Sequence, residues 1–269
     1  MLEYDFMRRA LLAGGMLAII IPMIGVVMIN RKTSMIGDAL SHSSLSGVAL
    51  GLIFGINPLW SSLLICVLAS FAIEVIRRRF KQYGDMATAI VMSAGIGLAA
   101  VLSDFTPGGK SFESFMFGSI TTVSKEDLRL IGIIFVLVLV LSLYFYNALL
   151  YNSINPMMSR LSGVKTDLVD SFFTLITAIT VAISAKTVGA LMISSLMVIP
   201  VASALLIAKS YKASYLIAII LSLIFMLSGI SISFYQGIKP GGAIVLIAIG
   251  FLLVISLFSL IKKKILVKK

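Results

Sequence analysis

Apolar runs of about 20 residues recur along almost the whole of this chain, and each has the length at which a helix crosses a bilayer. In hydrocarbon every backbone N–H and C=O must find a partner within the protein, so runs of this length fold as helices packed side by side. Hydrophobic residues fill 59% of the 269 positions and charged residues 12%, which excludes an ordinary soluble domain. The runs predict nine spans, at residues 11–30, 33–54, 58–79, 84–103, 127–150, 166–185, 187–208, 213–234 and 241–261. The expected fold is therefore an all-α polytopic bundle of eight or nine transmembrane helices. It forms a single membrane domain over residues 1–269, with no room for a soluble domain of usual size.

The net charge of +11 does not point to nucleic acid, because the basic residues lie in short clusters between apolar runs and read as topology signals facing anionic lipid. Fifteen of the 22 Lys and Arg fall on one side of the nine-span arrangement: Arg31, Lys32, Arg77–Arg79, Lys81, Arg160, Lys165, Lys209, Lys212 and the five lysines after residue 261. The positive-inside rule then places the N-terminus outside and the C-terminus in the cytoplasm. Arg8 and Arg9 precede an apolar stretch as in a signal peptide, but no small-residue cleavage site follows, so the stretch reads as a retained first span. The lone Cys66 permits no intrachain disulfide and no paired-cysteine zinc motif. The outer side collects Glu3, Asp5, Asp104, Glu113, Glu126 and Asp127. Such a group either forms an acidic mouth that concentrates cations or is a solvated loop.

The second run carries Asp38 and His42, the only histidine of the chain, near its middle. Ionisable groups in a membrane span are expensive and by default mark a pathway. The i, i+4 spacing puts both on one helical face, about 5–6 Å apart at Cβ, and carboxylate plus imidazole is a donor pair for zinc or manganese. The alternative is a buried polar pair that locks helices together. In the same run Gly47, Gly51 and Gly55 repeat every four residues, a smooth strip for close helix approach.

Elsewhere the signals are weaker. Residues 111–118 form a short amphipathic piece within the longest outer connection, and Asn155-Pro156 and Gly163 bracket a short helix within the longest inner one. Ser194, Ser195, Pro200 and Ser203 punctuate the seventh span, where a proline frees a carbonyl and small hydroxyls satisfy it. Such residues line a passage or simply pack a bundle. Glu74 stands one turn before Arg77 and Arg78 as an anchoring partner, and Asp170 falls near the inner interface. The stretch 104–111 ends like a phosphate-binding loop but has Asp104 where glycine is required and no preceding strand. Ser41, Ser43 and Ser44 flank His42, yet adjacent helix positions point apart and a regular helix offers no oxyanion donors.

These residues resemble those of a known family. Gly37-Asp38-Ala-Leu-Ser-His42-Ser-Ser-Leu-Ser-Gly47-Val-Ala-Leu-Gly51 is similar to a segment of the zinc/manganese uptake permeases of bacterial ABC transporters. Phe117-Gly118-Ser119-Ile120 and the stretch from Val188 to Ala204 look like two further family segments in the expected order. The related vitamin B12 and siderophore permeases lack the Asp/His pair. The resemblance implies a type II ABC importer permease fold in the bacterial plasma membrane and a homodimer of permease chains. It also implies a cytoplasmic ATPase dimer and an extracytoplasmic metal-binding protein as partners. Asp38 and His42 would form the metal gate or transit site, and no tightly bound cofactor is expected beyond the transported divalent metal. Residues Met157, Met158, Ser159, Arg160, Leu161, Ser162 and Gly163 resemble a degenerate coupling-helix motif, with Met157 in place of its usual acidic lead residue. Two competing readings are a stand-alone proton-coupled cation transporter using Asp38 and His42 as relay, and an intramembrane enzyme, for which the catalytic inventory is poor.

Overall fold

Caps and turn residues set where the helices begin and end. The computed structural model describes residues 3–80, 84–107, 109–119, 121, 123–154, 159, 161 and 166–267. Among them lie eleven helices of at least nine residues and no strand: α1 (Asp5–Asn30), α2 (Met35–Phe54), α3 (Pro58–Arg79), α4 (Gly84–Ser103), α5 (Gly109–Phe117), α6 (Lys125–Tyr144), α7 (Tyr146–Ile154), α8 (Thr166–Val188), α9 (Ala190–Ile207), α10 (Tyr211–Gln236) and α11 (Pro240–Val267).

Asn57 caps α3 by accepting the Leu59 N–H at 3.0 Å, with Pro58 in the first turn and three arginines in the last, a charge order that suits the helix dipole. Ser124 and Asp127 form a reciprocal capping box on α6, each side chain accepting the other's backbone N–H. Gly55 ends α2 in the left-handed region at φ 66°. The third glycine of the expected strip is thus a cap, while Gly47 and Gly51 do the packing: a Cβ on either would stand 2.6 Å from Ser62 Cα or 2.8 Å from Pro58 Cα.

Several span boundaries differ from the sequence expectation, among them the end of α11 at Val267 instead of residue 261. The first helix starts at Asp5 instead of residue 11, because an acidic residue in the first turn is compatible with the helix N-terminus. The span expected over 127–150 is two helices that meet at Phe145. Among the described residues eight helices are long and apolar enough to cross a membrane. The 20-residue α2 is not among them, since Asp38, His42 and its serines dilute its apolar content.

Burial separates an inner from an outer layer. In the most apolar window of α1 72% of residues are buried, and in that of α8 61%, against 17% for α6 and 22% for α11. The first two are interior helices, and the last two are exposed over most of their surface. The second helix is clasped by α3, α4, α8 and α9, while α1 packs on α6, α9 and α10. Gly95 lets the backbone of α4 reach that of α2, where a Cβ would be 2.8 Å from Ser43 N.

Candidate functional site

From Ile36 to Ala49 every residue of α2 is buried except Asp38 and His42, which are half-buried. The serines between and after them are consumed locally. Ser41 donates to the Gly37 carbonyl and Ser43 to that of Ala39, each at 2.8 Å, and Ser46 to that of Ser43 at 2.8 Å. Ser44 and Ser62 share a hydrogen bond of 2.8 Å across the α2–α3 contact, and Ser61 donates to the Gly47 carbonyl. A hydroxyl bonded to its own helix or to a neighbour is neither a free nucleophile nor a free ligand. The Asp38 carboxylate acts electrostatically on the His42 imidazole. The two are the polar groups that this helix leaves open.

Two protein donors do not make a closed metal site, since structural zinc takes four. Among the described residues no group of three or more His, Cys, Asp or Glu is placed to hold a metal ion. Cys66 is buried on the other side of α2, with its thiol directed at the Leu40 carbonyl at 3.4 Å. A cavity of ≈ 720 Å³ has apolar walls from Phe71, Val75, Phe145 and Phe172, and neither Asp38 nor His42 lines it. It is a groove between α3 and α8, apart from the candidate ligands.

The ninth helix adjoins the start of α2. A Cβ on Gly37 would meet Met197 Sδ at 3.0 Å, and Gly25 of α1 lies against the Met197 carbonyl. Ser194 and Ser195, one turn away, are half-buried, and Pro200 is buried. Helical structure continues through Pro200, and the chain breaks instead at Gly189, φ 96°, the single residue between α8 and α9. Of residues 157–163, Ser159 is buried and Leu161 exposed, while Met157, Met158, Arg160, Ser162 and Gly163 lie outside the described residues.

Further side-chain and backbone contacts tie the elements together at the two ends of the bundle. At one end, Arg31 forms an ion pair with Asp170, which also accepts from Asn152 Nδ2 at 2.5 Å. Burial pulls the Arg31 guanidinium below its ordinary range and the Asp170 carboxylate opposes that pull. Beside this node Glu74 pairs with Arg78 at 3.0 Å, the anchoring role expected of it, and accepts from Ser171 at 3.2 Å. At the other end Gly118, φ 79°, and Gly189 bring α5 and the α8–α9 break into backbone contact, with Gly241 against Val188 and Phe117.

Three of the six outer acids are engaged by neighbouring cations. Asp127 takes Lys186 at 2.6 Å, Glu113 takes Lys239, and Asp5 lies 3.9 Å from Arg8. The mouth is therefore less negative than its acid count implies. Sequence reasoning missed the Arg31–Asp170–Asn152 node and the Gly118–Gly189 contact. The only advance signals were an aspartate at the end of an apolar run and a glycine in each of two family-like segments.

The chain matches the ABC 3 transport family over residues 3–259. It is 32% identical over 255 residues to a probable metal transport system membrane protein of Treponema pallidum (strain Nichols), covering 95% of this chain and 96% of that one. It is 30% identical over 257 residues to the high-affinity zinc uptake system membrane protein ZnuB of Haemophilus influenzae, covering 95% and 98%. The manganese transport system membrane protein MntC of Listeria innocua is 26% identical over 259 residues, covering 96% and 92%. The fold is that of PsaBC from Streptococcus pneumoniae, solved in complex with Fab, with a TM-score of 0.84 at 24% identity over 94% of this chain and 91% of that one. A bundle with this match along nearly its full length belongs to the ABC 3 transport family, and the chain is a permease of ABC-type metal transport.

Proposed function

We propose that this chain is the membrane permease of an ATP-driven importer of divalent metal ions, with zinc the first candidate and manganese or iron next. It passes the ion from an extracytoplasmic binding protein to the cytoplasm of a bacterium. The observation that carries this reading is the open Asp38–His42 pair on the otherwise buried face of a clasped helix. Two donors one turn apart hold a borderline cation loosely, as transit requires, because an ion must leave as readily as it enters. In the proposed homodimer, two copies of the pair, or one pair with water, complete the coordination. Ser194, Ser195 and Pro200 line the route beside the start of α2.

Nothing in the chain supplies a nucleotide site, so the driving force comes from a separate ATPase dimer that docks on residues 157–163. The exposed Leu161 fits that role as an apolar contact. The excess of basic residues at the end that carries Arg31, Arg77 and Arg78 supports a cytoplasmic location for that end and an extracytoplasmic N-terminus.

Proteoliposomes containing the permease, its ATPase and the binding protein test this directly. Zinc uptake should require ATP, and Asp38→Asn or His42→Ala should abolish it while co-purification with the ATPase persists. Uptake driven by a pH gradient without the ATPase would establish a proton-coupled transporter instead. Loss of assembly in both variants would make the pair a structural lock.

A further inference from the structure

We propose that Arg31, Asp170 and Asn152 form a positioning node that couples the ATPase-docking segment to the Asp38–His42 pair; this rests on the transport reading above. Asn152 belongs to α7 and Asp170 to α8. These two helices flank the segment that contains residues 157–163, and Asp170 Oδ1 receives both the Asn152 amide and the Arg31 guanidinium. Both stems of the docking segment are therefore tied to one carboxylate oxygen, and through it to the α1–α2 corner.

That corner is stiff. The Thr33 N–H donates to the Met28 carbonyl at 2.9 Å and the Lys32 N–H to that of Ile29 at 3.0 Å, with Lys32 in the left-handed region at φ 55°. This is a Schellman termination formed without glycine. The Thr33 hydroxyl adds a bond to the Met28 carbonyl at 3.3 Å. The second helix begins two residues later, and Asp38 stands in its first turn. A displacement of the α7 and α8 stems is thus delivered to a short rigid elbow and to the helix that carries the metal pair. Coupling between distant sites needs such a contiguous chain of packed and bonded groups with a second arrangement available.

The second arrangement has its parts in place. A polar cavity of ≈ 230 Å³ is bordered by Arg31, Lys32, Arg77, Asn152 and Asp170. Arg77 lies within electrostatic reach of Asp170, so this carboxylate has another cation to turn to when Arg31 moves. The side chain of Arg31 is only 10% exposed and that of Asp170 26%. Screening by salt is weak for groups buried to this degree. Arg31 also stacks over the Phe173 ring at 5.6 Å, which places it against α8 a turn beyond Asp170. On the other flank, the Arg78–Glu74–Ser171 contacts hold α8 to α3. The beginning of α8 is therefore seated between the α3 end and the α1–α2 elbow.

The test compares zinc imported with ATP hydrolysed in proteoliposomes containing the complete complex. Arg31→Gln and Asp170→Asn should lower the ions imported per ATP about tenfold. The zinc concentration at half-maximal uptake, the rate of ATP hydrolysis and co-purification with the ATPase should stay unchanged. The exchanged pair Arg31→Asp with Asp170→Arg should regain most of the ratio. Where Arg31→Gln fails to fold, Arg31→Lys keeps the charge without the planar fork and should give an intermediate ratio. A wild-type ratio in the folded variants overturns the node, as does a proportional loss of assembly, hydrolysis and import, which marks a mere structural pin. Failure of the wild-type complex to import zinc, manganese or iron with ATP overturns the transport reading itself, and the node with it.

Discussion

The two ends of this bundle are fastened in different ways. At one end, Gly118, Gly189 and Gly241 bring three chain segments together backbone to backbone, flanked by the Lys186–Asp127 and Lys239–Glu113 ion pairs. At the other, the α1–α2 elbow, α3, α7 and α8 meet through side-chain charges: Arg31, Asp170, Asn152, Glu74 and Arg78. Backbone contact at left-handed glycines has a single geometry and admits no alternative partner. Charged side chains have several rotamers and several partners. The glycine contacts are built to stay in place whatever the flanking ion pairs do, whereas the α1–α2 elbow is joined to α7 and α8 by charged side chains that can exchange partners without unfolding.

If backbone contact is what fixes the glycine end, Gly189→Ala should have the largest effect. Its φ is 96°, and a Cβ would stand 2.5 Å from Gly118 N and 2.7 Å from the Met116 carbonyl. We expect a loss of roughly 4 kcal/mol or more, read as the disappearance of monodisperse protein on size-exclusion chromatography. A well-folded variant would show that this end yields more than its geometry implies. Asp170→Ala should come next. It leaves Arg31 buried without its carboxylate, which costs about 3 kcal/mol when one partner of a largely buried pair is removed. Thermal unfolding in detergent should fall accordingly, and a simultaneous Arg31→Met should restore part of it. The smallest change should come from Lys32→Gly. Relieving a non-glycine residue at φ 55° should stabilise the elbow by about 1 kcal/mol, a rise of a few degrees in Tm. A fall in Tm instead would mean that the Lys32 side chain holds the charged end through contacts of its own.

Much of the fold was legible because its signals are local. Asn57-Pro58 marks a helix start, Arg77–Arg79 a helix end, and each apolar run a span. The Asp38–His42 pair was legible for the same reason, since an ionisable couple within an apolar run stands out against its neighbours. Gly55 was misjudged because a glycine at a packing spacing and a glycine at a helix terminus look alike until the end of the helix is known. Pro200 reads as freeing a carbonyl within the seventh span, and α9 continues helical through it, while the junction expected near residue 186 falls at Gly189. The Arg31–Asp170 pairing joins segments far apart in sequence, and no spacing rule connects them. The outer acids read as either a mouth or a solvated loop, because Lys186, Lys239 and Arg8 could not be matched to Asp127, Glu113 and Asp5 from order alone.

The polar character of α2 has a consequence for how the protein is made. A segment holding an aspartate, a histidine and four serines within 20 residues enters lipid poorly by itself, since charged and polar side chains oppose insertion. The strongly apolar α1 precedes it by a four-residue elbow, too short to leave the two on the same side once α1 has crossed. During synthesis the pair must therefore enter the bilayer as one hairpin, with α1 carrying its polar successor through the translocon. Lengthening the elbow would strand α2 in water before any metal is met.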